Sequence, residues 1–329
     1  MSALWCGLRP RSVWLGVPAI GMMLCLAPAA PAGQAGAAPR EAATKAPLAP
    51  SSLLLDVAAR DGLVVAVGER GHVLVSTDQG QSWRQADVAT RALLTGVFMH
   101  DARLGWAVGH DEVIVRTRDG GLTWERVHYA PEHEKPLLDV WFADAQTGLA
   151  VGAYGGLLAT SDGGETWTPR TVHGEDDFHL NQIAAAADGA LFLAGEAGHL
   201  YRSDDTGATW QPLPSPYAGS FFGLLPRPDG SLLAFGLRGH LYRSQDGGRS
   251  WTPIGTGTEE TLTTALDLGS GRFVVGGMGG TLLWSEGAGT AVRKQELPDR
   301  KAIVALAPGA SGTLLLVGEG GVRRIEIPR

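Results

Sequence analysis

The sequence predicts an all-β fold, a seven-bladed β-propeller of four-stranded blades. An eight-residue signature, Ser/Thr-x-Asp-x-Gly-x-Ser/Thr-Trp, recurs five times and ends at Trp83, Trp124, Trp167, Trp210 and Trp251. These tryptophans stand 41, 43, 43 and 41 residues apart, a period typical of propeller blades. Between them lie short apolar runs cut by Gly and Asp turns, and no stretch after residue 50 carries a helical period.

The third unit shows what each repeat must build. An apolar run, Leu138–Ala143, is followed by Asp-Ala-Gln-Thr-Gly, then Leu149–Gly152, a Tyr-Gly-Gly turn, Leu157–Thr160, the signature, and a last strand around Trp167–Arg170. Four strand-length segments alternate with turn residues. Within the signature, the aspartates Asp78, Asp119, Asp162, Asp205 and Asp246 can accept the amides of the turn that follows them. The glycine two residues on tolerates positive φ. The closing tryptophan carries a large ring into the space between units. This chemistry assigns the signature to structure rather than catalysis.

Equivalent first strands begin near Leu53, Leu93, Leu137, Leu180, Phe221, Leu262 and Ile303, which makes seven units. The sixth has a decayed turn at 285–290, without Asp or Trp, and the seventh is one strand short. A strand from the N-terminal side, Thr44–Pro50, is expected to close the ring, although Pro47 and Pro50 limit its pairing.

Residues 1–32 read as a secretory signal peptide: Arg9 and Arg11, an apolar stretch from Val13 to Leu26, then small residues through Ala32. Residues 33–50 read as a linker that includes the closing strand, and 51–329 as the propeller. Both cysteines, Cys6 and Cys25, fall within the first segment, so the expected periplasmic or exported chain has no thiol chemistry. Its 25 basic residues against 34 acidic ones leave it about nine charges negative, which disfavours nucleic acid.

Units of the form Val-Gly-x-x-Gly-x-Leu-x-x-Ser-x-Asp-Gly-Gly-x-Thr-Trp, clearest from Val151 to Trp167 and from Phe235 to Trp251, resemble the photosystem II stability/assembly factor family of Asp-box (BNR-like) propellers. The resemblance spans roughly Leu53 to Arg329. It implies a non-enzymatic, exported propeller that binds a membrane-protein client during assembly. Asp-boxes also occur in sialidases and other glycoside hydrolases, so a glycan-binding or sialidase-like propeller is the alternative.

No catalytic constellation stands out. Tyr201 and Tyr242 share one repeat position, Leu-Tyr-Arg-Ser, and read as packing. The long links His128–Lys135 and His173–His179 carry histidines and acids, but their spacing is weak evidence for a metal; neither metal nor cofactor is predicted. Variation within the constant frame falls in the second-to-third turns, and loops on a rigid scaffold carry specificity. Candidate partner-binding residues are therefore Glu69, Arg70, His110, Asp111, Tyr154, Glu196, Arg238 and Met278. Arg70 and Arg238 are the only arginines at this turn. The expectation is a monomeric scaffold for an envelope or membrane protein.

Overall fold

A computed structural model describes residues 41–174, 177–287 and 289–328. The expected signal peptide, and the linker up to residue 40, lie outside the described residues. Seven sheets follow one another along the chain. Their inner strands are Leu54–Arg60, Leu94–Met99, Leu137–Phe142, Leu180–Ala185, Phe221–Pro226, Leu262–Gly269 and Ile303–Pro308. Each inner strand packs on the next, and that of blade 7 packs on that of blade 1, so the ring is closed. No helix among the described residues is long and apolar enough to cross a membrane.

Strand alternation explains why the core divides into seven clusters, one at each blade–blade contact. Successive side chains of a strand point to opposite faces. In the second strand of blade 1, Leu63, Val65 and Val67 pack on blade 2, whereas Val64 and Ala66 pack on Ala305, Leu315 and Val317 of blade 7. Strands buried on both faces read as continuous apolar runs rather than alternating ones, which is how Leu63–Gly68 and Leu191–Gly195 appear. The ring therefore lacks a central core, and its stability resides between blades.

The Asp-box turns form as the sequence requires. In blade 3 the Thr160 hydroxyl donates to the Asp162 carboxylate (2.8 Å) and accepts the Gly164 amide (3.0 Å). The Thr166 amide (3.0 Å) and hydroxyl (2.6 Å) both donate to the same carboxylate. The other four boxes repeat this pattern at Asp78, Asp119, Asp205 and Asp246. The tryptophan that follows packs back on the preceding blade: Trp83 on blade 7, Trp124 on blade 1, Trp167 on blade 2, Trp210 on blade 3 and Trp251 on blade 4. Blades 2 and 3 are further tied by buried Arg116, which reaches Glu125 (2.6 Å), Glu165 (2.8 Å) and the Gly163 carbonyl (2.9 Å).

Strand number varies among the described residues. Five sheets have four strands, blade 2 gains a fifth, Asp87–Val88, parallel to Thr123–His128, and blade 7 has three. The expected closing strand over Thr44–Pro50 is not formed. Ala49–Ser51 is instead a 3-10 turn beside the third strand of blade 7, and buried Ala49 fills the contact between blades 7 and 1. Upstream of it the chain turns away, and Gln85 holds Thr44 and Ala46 on the outer strand of blade 1. Pro47 and Pro50, each without an amide donor, account for the absence of a ladder here.

Candidate functional site

The turns between second and third strands share one build. In blades 1, 2, 4, 5 and 6 they are single 3-10 turns: Glu69–Gly71, His110–Glu112, Glu196–Gly198, Leu237–Gly239 and Met278–Gly280. The central residue is left-handed in each, as at Arg70, Asp111 and Arg238, and so is Tyr154 in blade 3, at φ 54°. That conformation turns its side chain outward: Arg70, Asp111, Tyr154 and Arg238 are all exposed. His110 and Met278, at the first turn position, are exposed as well.

Glu69 and Glu196 behave differently. Their carboxylates accept the amides of Leu53 (3.4 Å) and His179 (3.3 Å), each the residue just before its blade's inner strand. Glu319 of blade 7 accepts the Ala302 amide in the same way (3.0 Å). These glutamates brace the link into the blade, a role their recurrence at one repeat position signals. The predicted residues are thus placed around one face of the ring, one turn per blade, rather than gathered into a single cluster.

Blade 2 departs from the pattern, and its departure builds a groove. The third turn position is Gly71, Gly155, Gly198, Gly239 and Gly280 in other blades, at φ between 66° and 83°. In blade 2 it is Glu112, at φ 50° and 5% exposed. A Cβ on Gly71 would collide with the Thr90 carbonyl of the following link. The link after blade 2, 128–136, is one of the two long ones, and its length makes room for the extra side chain. Glu112 then gathers that link: its two oxygens meet His128 Nε2 and His133 Nδ1, each at 3.0 Å. Backbone in a disfavoured region persists only where its surroundings over-determine it, and two histidines on one buried carboxylate do so here. His128 and His133 face Glu112 rather than a common ion position, and no group of three or more metal-ligating side chains occurs among the described residues.

Beside this clasp lies a cavity of about 320 Å³ between blades 2 and 3. Its floor is Pro136, Leu137, Leu157 and Leu158, and its rim includes Lys135 and Arg170. Neither cation has an ion pair among the described residues. Tyr154, 53% exposed, projects from the adjoining turn with its ring edge-on to His179 at 5.1 Å. An apolar floor with unpaired cations at the rim, and one exposed tyrosine on the adjoining turn, suits an extended peptide that carries a carboxylate. A hollow of about 770 Å³ along Lys45–Pro47 and Arg84–Asp87 is larger, but it is an open depression on the blade 1 periphery. Arg170 and Glu112 were not singled out from the sequence, and Lys135 was read only as the end of the long link His128–Lys135. Aligning the turns places Glu112 where other blades carry Gly, and that was the available signal.

Two carboxylates near the ring axis bear on the catalytic alternative. Asp56 and Asp139 occupy the same position in the inner strands of blades 1 and 3. In each, one oxygen accepts an amide of its own strand and the other an amide of the next blade. Asp56 accepts the amides of Val57 and Val97, and Asp139 those of Val140 and Ile183, all at 2.8 Å. An acid–base pair needs an oxygen free to meet substrate, and these four oxygens are engaged by backbone. Desolvation pushes Asp56 up to about 6. Desolvation, with the Asp56 charge added, pushes Asp139 up to about 8.

A pH profile follows from these shifts. A carboxyl raised on folding stabilises most below its unfolded value of about 4, and that contribution fades as pH rises through the folded value. Asp56 and Asp139 therefore tilt stability downward from about pH 4 to about pH 8. The Asp-boxes act oppositely. Hydrogen bonds from the Thr166, Thr209 and Ser250 hydroxyls hold Asp162, Asp205 and Asp246 near about 2, so their contribution is lost as pH falls from about 4 to about 2. Thermal unfolding is expected to peak between about pH 4 and 5, with a gentle alkaline decline that is flattened in the double variant Asp56→Asn/Asp139→Asn. An unchanged alkaline limb in that variant would remove the brace carboxylates from the account.

The comparisons with known proteins agree with the repeats. A family model described as photosynthesis system II assembly factor YCF48 matches residues 128–253, a span that includes Tyr154, Arg170 and Arg238. No curated protein matches the chain. Among solved structures, "YCF48 bound to D1 peptide" matches with a TM-score of 0.70 at 16% identity, over 89% of this chain and 98% of that one. YCF48 from Cyanidioschyzon merolae gives 0.67 at 16% identity, over 83% and 94%. The WD40 propeller domain of Doa1 gives 0.68 at 12% identity, over 87% and 95%. The propeller fold is shown, and the resemblance to photosystem II assembly factor-like propellers is borne out.

Proposed function

Starting from a propeller similar to the photosystem II assembly-factor family, we propose that this chain is a non-enzymatic, exported scaffold that binds a protein client, a component of an envelope or membrane complex. The carrying observation is exposed Tyr154 beside an apolar groove rimmed by Lys135 and Arg170. Support also comes from the similar propeller described as bound to D1 peptide: a rigid ring of this design accommodates a peptide. The client segment that fits the groove here is extended and carries an acidic group, because the free charges at the rim are cationic. Export rests on the basic-then-apolar character of residues 1–32.

The test is affinity capture from envelope extracts with the intact protein and three variants. Tyr154→Ser and the pair Lys135→Glu/Arg170→Glu are expected to lose the captured client by about ten-fold or more. Arg70→Ala with Arg238→Ala is expected to weaken capture less, since those turns stand on other blades. Equal capture by all variants would sink the assignment of the groove.

A further inference from the structure

Among the described residues, blade 7 is the one blade with three strands, so its third strand stands at the edge where the other blades carry a fourth. Its third strand, Gly321–Glu326, pairs with Thr313–Gly318 through a two-residue Glu319-Gly320 turn. The register sets Gly321 opposite Gly318, Arg323 opposite Leu316 and Ile325 opposite Leu314, and Ile327 donates to the Gly312 carbonyl. Alternate residues of an antiparallel strand bond to opposite sides. The amides and carbonyls of Val322, Arg324 and Glu326 therefore face away from the sheet, as a template for another strand.

Blade 2 shows one way such a strand is held, whereas in blades 4 and 5 the equivalent arginines, Arg202 and Arg243, stand opposite Gln211 and Thr252. Arg324 stands at the register position of Arg116 in blade 2: each pairs with the residue three before the Gly that ends the second strand, Leu315 before Gly318 and Trp106 before Gly109. Opposite Arg116 lies Glu125 of the fourth strand, in a 2.6 Å ion pair. Arg324 is exposed and has no ion pair among the described residues. In blades 1 to 5 the fourth strand is led by a tryptophan packed on the preceding blade. Beside Ile327 of blade 7 there is a cavity of about 170 Å³, with Leu268, Phe273 and Trp284 of blade 6 as its apolar part and Arg272, Glu286 and Arg293 as its charged part. The chain's own residues 33–40, Gly-Gln-Ala-Gly-Ala-Ala-Pro-Arg, contain no bulky apolar side chain to fill it, and Glu41 is held at Arg91 of blade 2.

We infer that the outer edge of blade 7, Val322–Glu326, takes up an extended segment of a protein partner as its fourth strand, with an aromatic side chain in the cavity beside Ile327 and a neighbouring carboxylate on Arg324. This interface lies at the ring periphery, apart from the Tyr154 groove, and stands or falls independently of it.

The probe is a labelled synthetic peptide copying residues 122–128, Leu-Thr-Trp-Glu-Arg-Val-His, the chain's own fourth strand of blade 2. In the free protein the amides of Arg324 and Glu326 are expected to exchange hydrogen rapidly, and the peptide to bind saturably and slow both. Replacing the peptide's tryptophan by alanine, or its glutamate by glutamine, is expected to weaken binding by about ten-fold each. Arg324→Pro removes an edge-facing amide without touching the inner ladder and is expected to abolish binding. Arg324→Glu serves the same end should the proline variant misfold. Three results would overturn the inference: no protection of these amides by peptide; slow exchange in the free monomer, which assigns the edge to this chain's own residues; or a dimer in sedimentation that Arg324→Pro dissociates, which assigns it to a second copy.

Discussion

Replacing Trp106 with alanine is expected to destabilise the ring by about 4 kcal/mol, the usual cost of deleting a fully buried indole and leaving its cavity. Trp106 is 0% exposed in the core shared by blades 2 and 3. Its ring lies parallel to Phe142, 3.4 Å between centroids at 7°. Its Nε1 donates to the Gly163 carbonyl at 3.1 Å, within the blade 3 Asp-box that Arg116 also grips. Truncation would thus remove packing, a stacked pair and one strut between blades. In a chain of this size the unfolding midpoint should fall by about 8 °C. Trp106→Phe keeps the stack but not the donor and should cost roughly half as much. A loss below about 1 kcal/mol for the alanine variant would mean that stability does not reside between blades.

Gly109→Ala is expected to cost about 3 kcal/mol through a backbone collision rather than through conformation. Gly109 ends the second strand of blade 2 with extended backbone, φ −176°, which alanine adopts freely. The obstacle is proximity: an added Cβ would overlap the Leu93 carbonyl oxygen. That oxygen is fixed because it accepts the His110 amide at 2.9 Å, closing the turn onto the start of the blade. Gly62→Ala is the contrasting control. Gly62 has φ 85° but nothing within 4 Å of a Cβ, so only backbone strain remains, about 1 kcal/mol. Calorimetry on the two variants separates close approach from strain, and equal costs would contradict the packing argument.

The fold was legible because the Asp-box is a local device. Ser, Asp, Gly and Trp at fixed offsets make the turn, so Asp162 and its four counterparts could be read from sequence, as could seven inner strands within one residue of their observed starts. The closing strand was less legible because it depends on long-range pairing, which Pro47 and Pro50 oppose; the chain holds Gln85 instead. The turns were readable as variable positions, but burial was not. Glu69 and Glu196 look like surface charge in sequence yet brace backbone amides. The groove's floor comes from Leu137, Leu157 and Leu158, residues that any strand of this repeat would carry. The glutamate at a glycine position and the long link after it were the hints that blade 2 is built differently.

The central claim is that one face of a rigid ring, and not a reactive centre, is the working part. The most direct measurement is site-specific photocrosslinking in the native envelope, with the photoreactive side chain in place of Tyr154 on the link face or of Gln81 on the Asp-box face. The account expects a discrete protein adduct from position 154 that is absent from position 81 and is lost when Lys135 and Arg170 are reversed in charge. Adducts of equal yield from both positions, or none from 154 alongside a protein that hydrolyses glycosides, would contradict it.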